Sequence, residues 1–204
     1  MRVSRVLSSS VSRFPVKTVE QLPTDLRDRL LEVQSKAGFV PNVFLALSHR
    51  PNELRAFMNY HDEVMRESGG LTKAEKEMIV VATSGANRCL YCVVAHGAIL
   101  RIYAKNKTIA DSLALEHSRE PSLTPKQTAM LDYALKLART PEHAATKEDL
   151  QTLTDAGFSN EDIWDISSIV AFFAMSNRLA TACAIEPNLE FYTMGRVDRP
   201  KKKD

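Results

Sequence analysis

Apolar positions recur every three or four residues along almost the whole chain, a period that predicts helices. "PTDLRDRLLEVQSKAGF" sets Leu26, Leu30 and Val33 on one face and stops at Gly38. "PNVFLALSHRP" predicts a short helix bounded by Pro41 and Pro51. "NELRAFMNYHDEVMRESGG" carries Leu54, Phe57, Met58, His61, Val64 and Met65 at spacings of three and four, with Gly69 and Gly70 as its stop. No window alternates as a half-buried strand would.

Four later starts share one logic. Thr72-x-x-Glu75, Thr124-x-x-Gln127, Thr146-x-x-Asp149 and Ser159-x-x-Asp162 each place a hydroxyl at an N-cap and an acceptor three residues on. Pro125 follows Thr124 at the first helical position, where its missing N–H costs nothing. "LTKAEKEMIVVAT" and "LTPKQTAMLDYAL" open alike, which suggests two related helical halves; Glu77 and Cys89 have no counterparts in the second. Gly85 is expected to break the helix that starts near Thr72, making Asn87 the N-cap of the next one and placing Cys89 in its first turn. "EDIWDISSIVAFFAMSNRLATAC" is apolar enough for a core or an oligomer interface, with Trp164, Phe172 and Phe173 in that role. The fold class is therefore all-α.

Composition narrows the function classes. The chain has 204 residues, of which 44% are hydrophobic and 7% aromatic, enough for one helical domain with a real core. The longest apolar run, Ile169 to Met175, is far short of the roughly 18 residues of a membrane span. The net charge of +2 is unevenly spread. Residues 1–19 hold four basic and no acidic groups, and residues 196–204 hold five basic and two acidic, so the body between keeps 18 basic against 23 acidic. A basic excess confined to the two ends argues against nucleic-acid binding. The chain divides into a basic extension (1–12), a helical domain (13–195) and a basic tail (196–204). "MRVSRVLSSSVSRF" is Arg- and Ser-rich, with Val3, Val6, Leu7, Val11 and Phe14 on one side of a helical wheel. It reads either as a mitochondrial transit segment or as a frayed terminus. Three cysteines make no disulfide framework and point to a reducing compartment, the cytoplasm or the mitochondrial matrix.

The chemistry lies in "RCLYCVVAHG". On one helix Cys89, Cys92 and His96 stand at i, i+3 and i+7 and span only about 60° of its surface. His96 is one turn beyond Cys92, within reach of its sulfur. An unperturbed thiol with a pKa of about 8.5 is only a few per cent ionised at pH 7, so a helix N-terminus and a neighbouring base change its reactivity. Glu77 sits midway along the preceding helix, where a tight turn would fold it back toward the cysteine face. Three readings stand: a redox pair with its own base, a zinc site drawing on Cys89, Cys92, His96 and Glu77, or two buried thiols beside a core histidine. His61, on an apolar face, reads as core or pocket lining, and Cys183 as a small buried residue.

Glu77-x11-Cys89-x2-Cys92-x3-His96 resembles the E-x11-C-x2-C-x3-H pattern of the alkyl hydroperoxidase D family, within the carboxymuconolactone decarboxylase-like superfamily. "GFVPNVFLALSHRPNELRAFMNYHDEVM" is similar to the peroxidase-related branch, and the resemblance spans roughly residues 13–195. It implies a homo-oligomer with thiol peroxidase activity and no bound cofactor. The oxidant would be a small hydroperoxide, and an external dithiol protein or lipoyl-type donor would be the reductant. By position, Cys92 would be the peroxidatic cysteine and Cys89 the resolving one, with His96 and Glu77 as the proton relay. Tyr91 departs from the pattern: well-described members carry a histidine there, and a phenol is a poor base at pH 7. Members that decarboxylate a lactone lack the cysteine pair, so its presence argues against that activity. The alternative class is a helical redox-sensing or binding protein using the pair as a switch.

Overall fold

The computed structural model describes residues 11–66 and 69–197; residues 1–10, with most of the transit-like stretch, and 198–204 of the basic tail lie outside the described residues. Among the described residues ten α-helices follow in order: α1 (Thr24–Ala37), α2 (Asn42–Leu47), α3 (Pro51–Met65), α4 (Lys73–Ala86), α5 (Leu90–Ala104), α6 (Ile109–Leu115), α7 (Pro125–Arg139), α8 (Lys147–Asp155), α9 (Asn160–Ala182) and α10 (Leu189–Thr193). No strand occurs among the described residues.

The termini form where side chains satisfy the free backbone groups. Thr72 Oγ1 accepts from Glu75 N at 3.2 Å and Glu75 Oε2 from Thr72 N at 2.9 Å, and the boxes at Thr124, Thr146 and Ser159 close in the same way. Gly38, in the left-handed region at φ 89°, ends α1 with its amide on Gln34 O.

Nine of the fourteen residues of α4 are buried in one unbroken run, Lys76 to Ser84, so the helix is covered all round. The covering helices are α5, α6, α7 and α9. The buried Lys76 ammonium bonds Val64 O, Arg66 O and Asp165 Oδ2, tying the end of α3 and the start of α9 to this central helix. The two Leu-Thr starts lie together: α4 packs on α7, and Gln127 Nε2 donates to Glu75 Oε1 at 3.4 Å.

Gly85 does not break α4. The helix runs through it to Ala86, and a Cβ at Gly85 would stand 2.1 Å from Ala114 O. The glycine is there for the close approach of α6. Asn87 is correspondingly the C-cap of α4 and not the N-cap of α5. Arg88 turns left-handed at φ 54°, with Arg88 N on Gly85 O and Cys89 N on Ser84 O, the paired bonds of a Schellman turn. Cys89 itself is the N-cap of α5, one position outside its first turn.

Two further expectations change. Of the two roles given to Trp164, its 71% exposure removes the core and leaves the interface, whereas Phe172 and Phe173 are buried. Residues 11–14 are not helical: Ser12 is buried and its hydroxyl, like the amide of Arg13, bonds Cys183 O, while Val11 packs against the group of residues around the cysteines. At the other end, buried Arg101 of α5 donates to Phe191 O and Met194 O, and Arg196 makes a two-pronged pair with Asp111. These bonds lash α10 across α5.

Candidate active site

The α4–α5 hairpin brings the four motif residues into one neighbourhood. Glu77 is buried in α4, and its Oε2 lies 2.8 Å from His96 Nδ1 of α5. With the carboxylate ionised, Nδ1 carries the proton and donates, which leaves Nε2 as the basic nitrogen. The His96 ring stands edge-on to Phe173 of α9, with centroids 4.7 Å apart, so its plane is fixed from two sides.

Cys89 and Cys92 are both reduced and 1% exposed. They differ in outlook. Cys92 lines a pocket of about 110 Å³ together with His96, whereas Cys89 is not on its wall. Pro41, Val43, Phe44, Phe57, Phe173 and Phe191 supply most of the remaining wall, so the cavity is apolar around two imidazoles and one sulfur. The larger groove between α7 and α8, about 410 Å³, holds Lys136 and Asp149 but neither a cysteine nor a histidine.

The two sulfurs are electrically unequal. The Cys92 thiol donates to Cys89 and holds the Cys89 ionisation down at about 7; burial opposes this, and the Cys92 amide, Thr181 and His96 assist. The amide contribution is a weak one, since Cys89 makes no capping hydrogen bond of ordinary geometry. Cys92 moves well above the ordinary thiol range because its proton is engaged by Cys89 and its site is buried, with Asn177 and Ser176 pulling the other way. The pair thus loses its first proton in a step around neutral pH, and the single charge it then shares rests mainly on Cys89.

Tyr91 is buried beneath the pocket, and its hydroxyl accepts from Val43 N at 3.2 Å. Burial pushes its ionisation far above the ordinary phenol range. It works as a post under α2. His61 of α3 does reach the pocket, stacked on Phe57 with its ring centroid 6.4 Å from His96. Among the described residues no three His, Cys, Asp or Glu side chains stand close enough to hold a metal ion. His49, His117 and His143 pair with Pro15 O, Asp132 and Glu142 in other parts of the molecule.

Sequence reasoning missed the contribution of α9. Asn177, 1% exposed, donates to Ser84 Oγ and accepts from Asn87 Nδ2, and it faces Cys92 together with Ser176. The signal was present in "FFAMSN", a polar pair closing the most apolar run of the chain.

A buried CxxC pair at a helix start, a histidine–glutamate couple and an apolar pocket define a class of all-helical thiol proteins. Residues 51–136 match the carboxymuconolactone decarboxylase family. A peroxidase-related protein of Ralstonia eutropha JMP134 with an alkylhydroperoxidase AhpD core is 55% identical, with TM-score 0.90 over 93% of this chain and 99% of that one. A peroxidase-related protein of Silicibacter sp. TM1040 is 34% identical, with TM-score 0.86 over 92% and 97%. The debrominase Bmp8, in complex with 2,3,4-tribromopyrrole, shares the fold at 20% identity and TM-score 0.74 over 92% and 96%. A search of curated proteins finds no match. The chain belongs to the carboxymuconolactone decarboxylase-like family and goes with its AhpD-like, peroxidase-related proteins.

Proposed function

We propose that the protein is a thiol-dependent peroxidase that reduces hydroperoxides at Cys92 and resolves through Cys89. The observation that carries this reading is the placement of Cys92 on the pocket wall beside His96, whose Nδ1 is held by Glu77 at 2.8 Å. Moving the Cys92 proton across to Cys89 puts the shared charge on the sulfur that meets the pocket. The Cys92 thiolate attacks the distal oxygen of ROOH; an S–O bond forms, the O–O bond breaks and RO⁻ leaves as ROH after taking a proton. The Cys89 thiol then attacks the Cys92 sulfenic acid. The S–S bond forms, and the Cys89 proton leaves with the hydroxide as water, passed on by His96 Nε2. One hydroperoxide is reduced by two electrons and the two thiols are oxidised to one disulfide. An external dithiol, as a protein or a lipoyl-type group, reduces it again by exchange.

Peroxide consumption with a panel of dithiol donors tests the reading. Wild type should turn over continuously and Cys92→Ser should not. A single stoichiometric oxidation with every donor would instead indicate a redox switch.

A further inference from the structure

We propose that His61 is the acid that protonates the alkoxide leaving from the hydroperoxide, dividing the proton work of the pocket between two histidines. The inference rests on the peroxidase reading. Breaking the O–O bond of an alkyl hydroperoxide releases a strongly basic alkoxide, and a positioned acid lowers that barrier. His96 is committed elsewhere: its Nδ1 is bound to Glu77, and its Nε2 must be free to take the second proton of the cysteine pair. The pair reacts as its thiolate, a form that has already given up its first proton, so the alkoxide is not supplied from there.

Few groups on the pocket wall carry an exchangeable proton. Burial holds the Tyr91 hydroxyl far above the ordinary phenol range, and the Ser176 hydroxyl is too weak an acid. His61 remains. It enters from a third helix, α3, and its side chain keeps 29% exposure, so it borders both the pocket and solvent and can reload its proton between turnovers. Its ring is held by stacking on Phe57 and by edge contacts with Phe172 and Phe173. Nδ1 makes a long 3.5 Å contact with Asp62, and Nε2 makes no hydrogen bond to the described residues. The charged groups around it are Asp62, which Arg29 of α1 also engages, and the His96–Glu77 couple of α5 and α4; α9 brings the rings of Phe172 and Phe173 against it and the Ser176 hydroxyl to the same pocket.

The test compares two oxidants on the reduced full-length protein, following disulfide formation in a single turnover. tert-Butyl hydroperoxide expels a strongly basic alkoxide, whereas peracetic acid expels a weakly basic carboxylate that needs no acid. His61→Gln should slow the reaction with tert-butyl hydroperoxide by about 100-fold and leave that with peracetic acid within about twofold. Equal losses with both oxidants would reduce His61 to a structural part of the pocket, and no loss with either would remove it from the chemistry; both results overturn the proposal. A wild-type protein that forms no disulfide with either oxidant overturns the peroxidase reading first. The peracetic acid reaction also reports that the variant is folded and its cysteines intact.

Discussion

Cys89 and Cys92 differ by three positions, yet their ionisations move in opposite directions, because one sulfur holds the proton that the other accepts. The first expected outcome is spectroscopic. In Cys183→Ser, which removes the third thiol, the ultraviolet thiolate absorbance of the reduced protein should rise by one sulfur's worth in a step centred at about 7, with Cys92 following well above the ordinary thiol range. Two overlapping steps near the ordinary thiol value would show that the pair is uncoupled. The same shifts fix the pH dependence of stability. From pH 7 to about 8.5 the unfolded chain holds more protons at Cys89 than the folded one, so stability rises with pH; above about 8.5 Cys92, still protonated in the fold, reverses the sign. Denaturation of the reduced protein should therefore show a mildly alkaline maximum, and Cys89→Ser should remove the rising limb. Tyr91 is set by packing. Tyr91→Phe leaves Val43 N without its acceptor and should cost on the order of 1 kcal/mol of stability, with the rate of Cys92 oxidation little changed. A large loss of rate at full stability would return the phenol to the proton relay.

At the scale of elements, the helix starts were legible because capping is local: a hydroxyl and an acceptor three residues apart need no partner from outside. The helix-to-helix turn was not. Gly85 looks like a breaker in sequence, but its reason is the carbonyl of Ala114, brought in from α6. The actual turn residue, Arg88, gives no signal for a left-handed conformation, which an arginine adopts at a cost of about 1 kcal/mol. Cys92 and His96 on one face of α5 and Glu77 on α4 were legible from spacing and motif, whereas Cys89, extended at the N-cap, falls outside the helical period. The neighbours from α3 and α9, namely His61, Ser176 and Asn177, depend on tertiary packing that no local period encodes. Gly85→Ala gives the sharpest check of the corrected element. A methyl group 2.1 Å from Ala114 O must push α6 away, costing about 1–3 kcal/mol. A neutral or stabilised variant would mean that the two helices do not approach so closely.

Across the whole molecule, the site is closed by segments distant in sequence. Asn42 N donates to Asn188 Oδ1, Asn188 Nδ2 to Val40 O and Asn42 Nδ2 to Glu186 O, so the lead-ins of α2 and α10 are stitched together over α5. Phe191, held through Arg101, then completes the pocket wall. Arg101→Met should release this strap, with faster proteolytic cleavage around residues 189–197 and a loss of roughly 1–3 kcal/mol. Unaltered cleavage would show that α10 is held by apolar packing alone. The central claim concerns what the assembled pocket does. Its most direct measurement is mass analysis of the protein after one equivalent of an alkyl hydroperoxide, for wild type, Cys89→Ser and Cys92→Ser. The account expects a Cys89–Cys92 disulfide in wild type, a Cys92 sulfenic acid trapped in Cys89→Ser and no peroxide consumed by Cys92→Ser. Undiminished consumption by Cys92→Ser, or a sulfenic acid formed on Cys89 in that variant, would contradict it.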